Sequence, residues 1–318
     1  MAHALVDRDI QPVDHLQAQV GDRFTVEVGG EPDRETLIEQ LQGADMILTT
    51  SRLPVDREVM ERTDLTFIGK FGTGIDSIDL EAAADLGIPV TYTPGLNAKA
   101  VAEYTVTMAL AVSRDLLVND RRLEAGGWRD EAENASQVTG QTIGIVGFGR
   151  IGTRVAGLLS GFNVDVLAYD PYVFEEDTDV TGAELTDLDD LMTRSDVVTV
   201  NAELTPETDS MIGADELDLL SDSAYLVNTA RGDIVVEDAL VAALENDELA
   251  GAALDVFETE PLPTGSRLHD FDNVIATPHV AAMTSDSRTR CIDRLVDSAV
   301  KLLEGERVAD RYMAVRAD

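Results

Sequence analysis

The chain has a single cysteine, Cys291, in 318 residues. It can therefore form no intramolecular disulfide and no cysteine metal cluster. Aromatic residues make up 5% of the chain, with one tryptophan, Trp128, which reads as a packing anchor under a polar stretch at 119–137. Long hydrophobic runs are missing: the longest apolar-rich stretch, 104–112, is broken by Thr105 and Thr107. A membrane helix needs about 20 apolar residues, so a membrane span is excluded and a membrane is not expected as a partner. Residues 1–12 lack a basic start leading into an apolar segment, and Asp7, Arg8 and Asp9 fall where that segment would be, so the expected location is cytoplasmic. Lysine is almost absent too: three of the 24 basic residues are Lys70, Lys99 and Lys301.

Acid is abundant, with 61 Asp and Glu and a formal net charge of -37. A phosphate backbone would be repelled by that field, so nucleic acid is not an expected partner. The carboxylates are spread between apolar residues and so describe a solvated surface, not a disordered block. Acid-rich, lysine-poor composition resembles that of proteins from salt-accumulating halophiles. Molar salt shortens the Debye length to about 3 Å and screens such self-repulsion, so activity is expected to need high salt.

A composition 44% apolar and 27% charged supports ordinary globular cores, and the length predicts two of them. Strands are expected at 24–28, 46–50, 65–68 and 90–92, with helices at 35–41 and 80–86 between them. Thr93-Pro94-Gly95 breaks this series before a helix over 98–114, expected to be the longest of the chain. A second series follows, with strands at 142–146, 164–169, 197–201, 224–228, 252–256 and 274–276. Strand and helix alternation of this kind predicts an α/β fold with doubly wound parallel sheets. An amphipathic helix over 285–303 is expected to return to the first unit. The expected domains are therefore 1–97 with 283–318, which would bind substrate, and 98–282, which would bind a dinucleotide. A cleft between them would close about crossovers near Asn97 and Ala282.

Gly147-Phe148-Gly149-Arg150-Ile151-Gly152 fits the dinucleotide pattern G-x-G-x-x-G, follows an apolar strand and opens a helix. Gly147 permits the tight turn, Gly149 lets backbone approach a pyrophosphate, and Gly152 lets helix pack on strand. Arg150 and Ile151 lie at the helix start that would receive the phosphates. Eighteen residues beyond Gly152 the next strand ends in Asp170-Pro171, where a carboxylate can bind ribose hydroxyls and repel a 2′-phosphate. The expected cofactor is NAD.

Reduction of a carbonyl needs an acid-base group and an electrostatic clamp. Of the four histidines only His279, in Thr277-Pro278-His279, stands directly after an expected strand. It reads either as a base or as a structural histidine in a turn. Arg231, in Asn228-Thr229-Ala230-Arg231-Gly232, follows another strand and reads either as a carboxylate clamp or as surface charge. Glu260 is one acid among 61, and spacing alone does not single it out. No closely spaced set of histidines and carboxylates suggests a metal site.

Five blocks in one order resemble the D-2-hydroxyacid dehydrogenase family: Phe71-Gly72-Thr73-Gly74-Ile75-Asp76, Gly147 to Gly152, Asn228 to Gly232, Leu254 to Pro261, and Thr277-Pro278-His279. The resemblance implies that Arg231 binds the substrate carboxylate and carbonyl, His279 is the general acid-base, and Glu260 pairs with it. It implies that backbone near Thr73, Gly74 and Ile75 holds the substrate carboxylate, with Asn97 at the cleft. It also implies that Thr229 and Asp255 face the nicotinamide amide, and that the chain is a homodimer through its NAD-binding domain. Asn201 and Glu203 depart from the His and Pro common in the family, and Ala281-Ala282 stands where glycine is frequent. Lys70 occupies a position that is often basic in 3-phosphoglycerate dehydrogenases, where it would neutralise a second anionic group. The expected activity is that of a 3-phosphoglycerate dehydrogenase-like enzyme without the C-terminal regulatory domain. The alternatives are a glyoxylate, hydroxypyruvate or D-lactate-type reductase and, remotely, an NAD-sensing scaffold resembling the C-terminal-binding corepressors.

Overall fold

The structure is a computed structural model that describes residues 1–132 and 135–316. Two positions of the polar stretch at 119–137 and the last two of the expected substrate domain lie outside the described residues. The strands are β1 His3–Asp7, β2 Thr25–Gly29, β3 Met46–Thr49, β4 Phe67–Lys70, β5 Val90–Tyr92, β6 Thr142–Val146 and β7 Asp165–Tyr169. They continue with β8 Glu184–Leu185, β9 Val197–Val200, β10 Tyr225–Asn228, β11 Gly251–Leu254, β12 Val274–Ala276 and β13 Met313–Val315. The chain divides into two compact units, one of Met1–Asn97 with Met283–Asp318 and one of Ala98–Ala282.

The first unit is a six-stranded sheet in the order β13-β5-β4-β3-β1-β2. Its five early strands are parallel, and β13 joins the edge antiparallel to β5. β3 and β4 are buried along their whole length, as expected for strands covered on both faces. One face is covered by the helices Arg34–Gln40, Arg57–Glu61 and Leu80–Asp85 through Leu37, Ile38, Val59, Met60, Ala82 and Ala83. The other takes the helix Ser285–Leu303, which supplies Ile292, Leu295, Val296 and Ala299. With 19 residues this helix is longer than Ala98–Ser113, which has 16, so the expectation that the latter is the longest is corrected. The reason is visible in the sequence: Arg114 and Asp115 end the earlier helix, and Asp115 takes a positive φ of 49°.

The second unit is a seven-stranded parallel sheet in the order β12-β11-β10-β9-β6-β7-β8. Strand order reverses between β6 and β9, the point where an open α/β sheet forms a crevice beyond its carboxyl edge. Part of the acid surplus builds local structure. Asp33, Asp56, Asp79 and Asp187 each accept a backbone amide at a helix start. Each such cap is worth about 1 kcal/mol. The helix Leu116–Glu124 runs into the stretch read as polar; it buries no side chain and so carries no apolar stripe to read.

Candidate active site

In the second unit, β6 runs straight into the glycine turn. Gly147 has φ 89°, and a Cβ there would meet Ala202 N at 2.5 Å. A Cβ on Gly152 would meet Gly147 O at 2.2 Å, so the helix Gly152–Leu159 sits directly on the turn. Gly149 has open space where its Cβ would be, the room a pyrophosphate needs for close approach to backbone. Asp170, at the end of β7, folds back over this turn: one carboxylate oxygen accepts from Phe148 N at 2.9 Å and the other from Tyr172 N at 3.0 Å. An ionised carboxylate has about four acceptor positions, so capacity is left for ribose hydroxyls. Arg150 and Ile151 lie in the turn and Pro171 in the bend after Asp170. These residues fit NAD.

Along the same carboxyl edge, the Asn228 side chain clasps the turn after β10. Its Nδ2 donates to Arg231 O at 2.8 Å and its Oδ1 accepts from Ala230 N at 3.0 Å, which fixes the backbone that carries Arg231. Gly232 then passes so close to Phe257 and Glu258 that a Cβ would lie 1.9 Å from Phe257 C. This close approach lets the two segments bearing Arg231 and Glu260 run side by side. Glu260 Oε1 accepts from Phe257 N at 3.2 Å, and its Oε2 lies 2.8 Å from His279 Nδ1. Burial pushes the Glu260 carboxyl up, but its hydrogen bond to His279, the His279 charge, the Phe257 amide and the Arg231 charge outweigh that and hold it below the ordinary value.

His279 occupies the left-handed region at φ 53°, an unusual backbone for a non-glycine residue. Its amide donates to Asp255 O at 2.9 Å and Thr277 O at 3.0 Å. The Asp255 carboxylate completes the turn: Oδ1 accepts from Thr277 Oγ1 at 2.6 Å and Val280 N at 2.9 Å, and Oδ2 from Ala281 N at 2.8 Å. Asp255 is wholly buried, with 0% exposure. These three donors leave about one of its four acceptor positions and hold the loop that carries His279. Thr277 and Asn228 were within reach of sequence reasoning, since both stand inside motif blocks, but spacing gave no sign that their side chains tie the turns. Thr229 is buried one residue beyond β10.

In the first unit, the loop after β4 is laced to the segment after β5. Gly72 N donates to Thr93 Oγ1 at 2.7 Å, Gly95 N to Thr73 Oγ1 at 3.1 Å, and Thr73 Oγ1 to Asn97 Oδ1 at 2.9 Å. Thr73, Gly95 and Asn97 are thus joined by hydrogen bonds, and Gly74 and Ile75 follow Thr73 in the same loop. Lys70 ends β4 beneath it with its ammonium on Ser51 Oγ at 3.2 Å and Phe71 O at 3.0 Å, and it is only 1% exposed. The ammonium expected to neutralise a second substrate anion is thus buried and braces the loop's own backbone.

Residues 106–281 match the family described as D-isomer specific 2-hydroxyacid dehydrogenase, NAD binding domain. The chain belongs to that family. This dehydrogenase uses NAD, and its glycine turn and Asp170 lie inside the matched segment. It is 40% identical over 282 residues to a glyoxylate reductase of Thermofilum pendens, covering 86% of this chain and 83% of that one. Over 283 residues it is 36% identical to a D-3-phosphoglycerate dehydrogenase of Methanocaldococcus jannaschii, covering 88% of this chain and 54% of that one. The dehydrogenase thus spans about half the length of that relative. A D-lactate dehydrogenase from Aquifex aeolicus, solved with NAD and lactic acid, superposes with a TM-score of 0.90 at 30% identity, covering 99% of this chain and 100% of that one. Among the described residues no helix is long and apolar enough to cross a membrane, and no group of three or more His, Cys, Asp and Glu could hold a metal ion.

Proposed function

We propose that the dehydrogenase reduces a short-chain 2-oxo acid to the D-2-hydroxy acid, with Arg231, Glu260 and His279 as its catalytic residues. The observation that carries this reading is the 2.8 Å contact between His279 Nδ1 and Glu260 Oε2. An ionised carboxylate can only accept, so Nδ1 carries the hydrogen of that bond and Nε2 is the nitrogen that exchanges a proton with substrate. NADH, when bound, supplies the hydride to C2 of the oxo acid. As negative charge grows on the carbonyl oxygen, His279 Nε2 gives it a proton, and Glu260 stabilises the imidazolium before transfer. In the reverse direction the neutral Nε2 takes the hydroxyl proton. Arg231 stays charged throughout and holds the substrate carboxylate with two parallel N–H groups while polarising the carbonyl. Backbone of Thr73, Gly74 and Ile75 is the proposed second holder of the substrate carboxylate, with Asn97 and Lys70 fixing that loop.

A small substrate is favoured by the burial of Lys70, whose ammonium donates to Ser51 Oγ and Phe71 O of its own unit. A phosphorylated substrate is the second reading, favoured by the place of that cation: a Cβ on Gly72 would lie 4.0 Å from Lys70 Nζ. The two separate on kcat/KM for glyoxylate, hydroxypyruvate, pyruvate and phosphohydroxypyruvate in molar KCl, with Lys70→Ala alongside. The first reading expects preference for a small unphosphorylated acid and an equal effect of Lys70→Ala on all four. A phosphohydroxypyruvate preference that Lys70→Ala abolishes selectively would replace it with the second. No turnover of any of the four would remove both. Trp128 is 64% exposed and so is not the packing anchor its sequence context suggests; with the exposed Leu116 and Leu123 it supports a proposed homodimer interface on the NAD-binding unit.

A further inference from the structure

Thr105 lies in the middle of the helix Ala98–Ser113, which is not part of the glycine turn or of the strand ends that carry the catalytic residues. Its hydroxyl is fully buried and has two close oxygen neighbours: Val101 O at 2.9 Å and Thr229 Oγ1 at 2.7 Å. Each hydroxyl owns one hydrogen. A carbonyl cannot donate, so the hydrogen between Thr105 and Val101 must come from Thr105. The hydrogen between the two threonines must then come from Thr229. Any other assignment leaves one of the two close oxygen pairs with no hydrogen between its atoms. Thr229 Oγ1, its only hydrogen committed to the helix, can do nothing else but accept.

We propose that Thr105 is a positioning residue that makes Thr229 an acceptor only, so that this part of the cofactor crevice reads the N–H2 end of the nicotinamide carboxamide and rejects its carbonyl end. The inference rests on the proposed dehydrogenase reading and on the place beside the nicotinamide amide that the family resemblance implies for Thr229. A carboxamide is nearly symmetric in shape, and its two ends differ only in donor and acceptor character. A wall whose polarity is fixed by a neighbouring helix chooses between them without moving. The choice also sets which way the amide is turned when the ring docks.

The test compares dissociation constants for NADH and for reduced 3-acetylpyridine adenine dinucleotide, which keeps the carbonyl and replaces N–H2 by a methyl group. Wild type should bind NADH tighter by roughly three- to tenfold, the worth of one hydrogen bond. In Thr105→Val and Thr105→Ala the Thr229 hydroxyl regains a hydrogen to offer, and the ratio should fall towards one. Thr105→Ser restores the donor chain and should restore the ratio. A purely structural role would weaken both dinucleotides by the same factor and leave the ratio unchanged, which overturns the proposal. Equal binding of the two dinucleotides by wild type overturns it without recourse to any variant. Thr229→Val tells the two failures apart. If it leaves both constants at wild-type values, Thr229 does not stand beside the ring and the underlying placement is wrong. If it weakens NADH selectively while Thr105→Val does not change the ratio, the placement stands and only the role of Thr105 falls.

Discussion

His279 gains its orientation from three sources: a left-handed backbone, two carbonyls that hold its amide, and Glu260 on its ring. Removing the ring should remove the proton transfer and leave the cofactor site intact. His279→Ala is therefore expected to lower kcat by about 10²–10⁴-fold while the dissociation constant for NADH changes little. A comparable loss of NADH binding would show that His279 supports the crevice and not the chemistry. Glu260 adds a pH dependence whose sign is fixed. Its carboxyl titrates lower in the folded chain than in the unfolded one, so it contributes stability above the ordinary glutamate value near about 4.3. That contribution disappears as pH falls through the lower, folded value. The gap in Tm between wild type and Glu260→Gln should accordingly narrow from pH 5 down to pH 3; a gap that stays constant or widens would contradict an ionised, bonded Glu260.

At the scale of elements, Asp170, Arg231 and His279 sit one to three residues past a parallel strand and Glu260 six, and the tolerance between neighbouring loops is small. Gly232 makes the point. The atoms a Cβ would strike are Phe257 C at 1.9 Å, Phe257 O at 2.1 Å and Glu258 N at 2.3 Å, all backbone. Gly232→Ala must push the Arg231 and Glu260 segments apart. Overpacking of this kind costs about 1–3 kcal/mol, and the displaced residues should lower kcat/KM by more than the stability change alone implies. An unchanged Tm with full activity would mean that the two segments part freely. Much of this level was legible beforehand, because β3, β9 and β10 are short apolar-rich runs and the glycine turn follows β6 directly. Other parts were not legible. The edge strand β13 has three residues and pairs antiparallel, with no alternation long enough to detect. Asp255 stands out in the sequence only through the family resemblance, and only the folded turn reveals three donors converging on it. Lys70 was conspicuous for its rarity, but rarity said nothing about its burial.

For the whole molecule the deciding quantity is charge. Individual surface pairs are worth about 0–1 kcal/mol, so the ion pairs of Arg62 with Glu35 and Glu58, or of Arg194 with Glu184 and Asp190, offset little of a net charge of -37. Screening should matter more. Tm is expected to rise steadily between 0.1 and 2 M KCl, with most of the gain retained when choline chloride replaces KCl at equal ionic strength. A Tm independent of salt would show that the acidic surface is neutral in its effect on stability.

The helix Ser285–Leu303 packs against Ala4, Val6, Met46, Leu48 and Phe67 of the first unit, yet the ribosome makes it only after the whole of Ala98–Ala282. At about 5–20 residues per second, the early strands emerge roughly ten seconds or more before the helix that covers them. Only at the end of that interval does the second unit have all of its own strands, and until then the earlier-born sheet keeps one apolar face bare. The interval when the chain is most exposed to aggregation or chaperone capture therefore belongs to its first hundred residues.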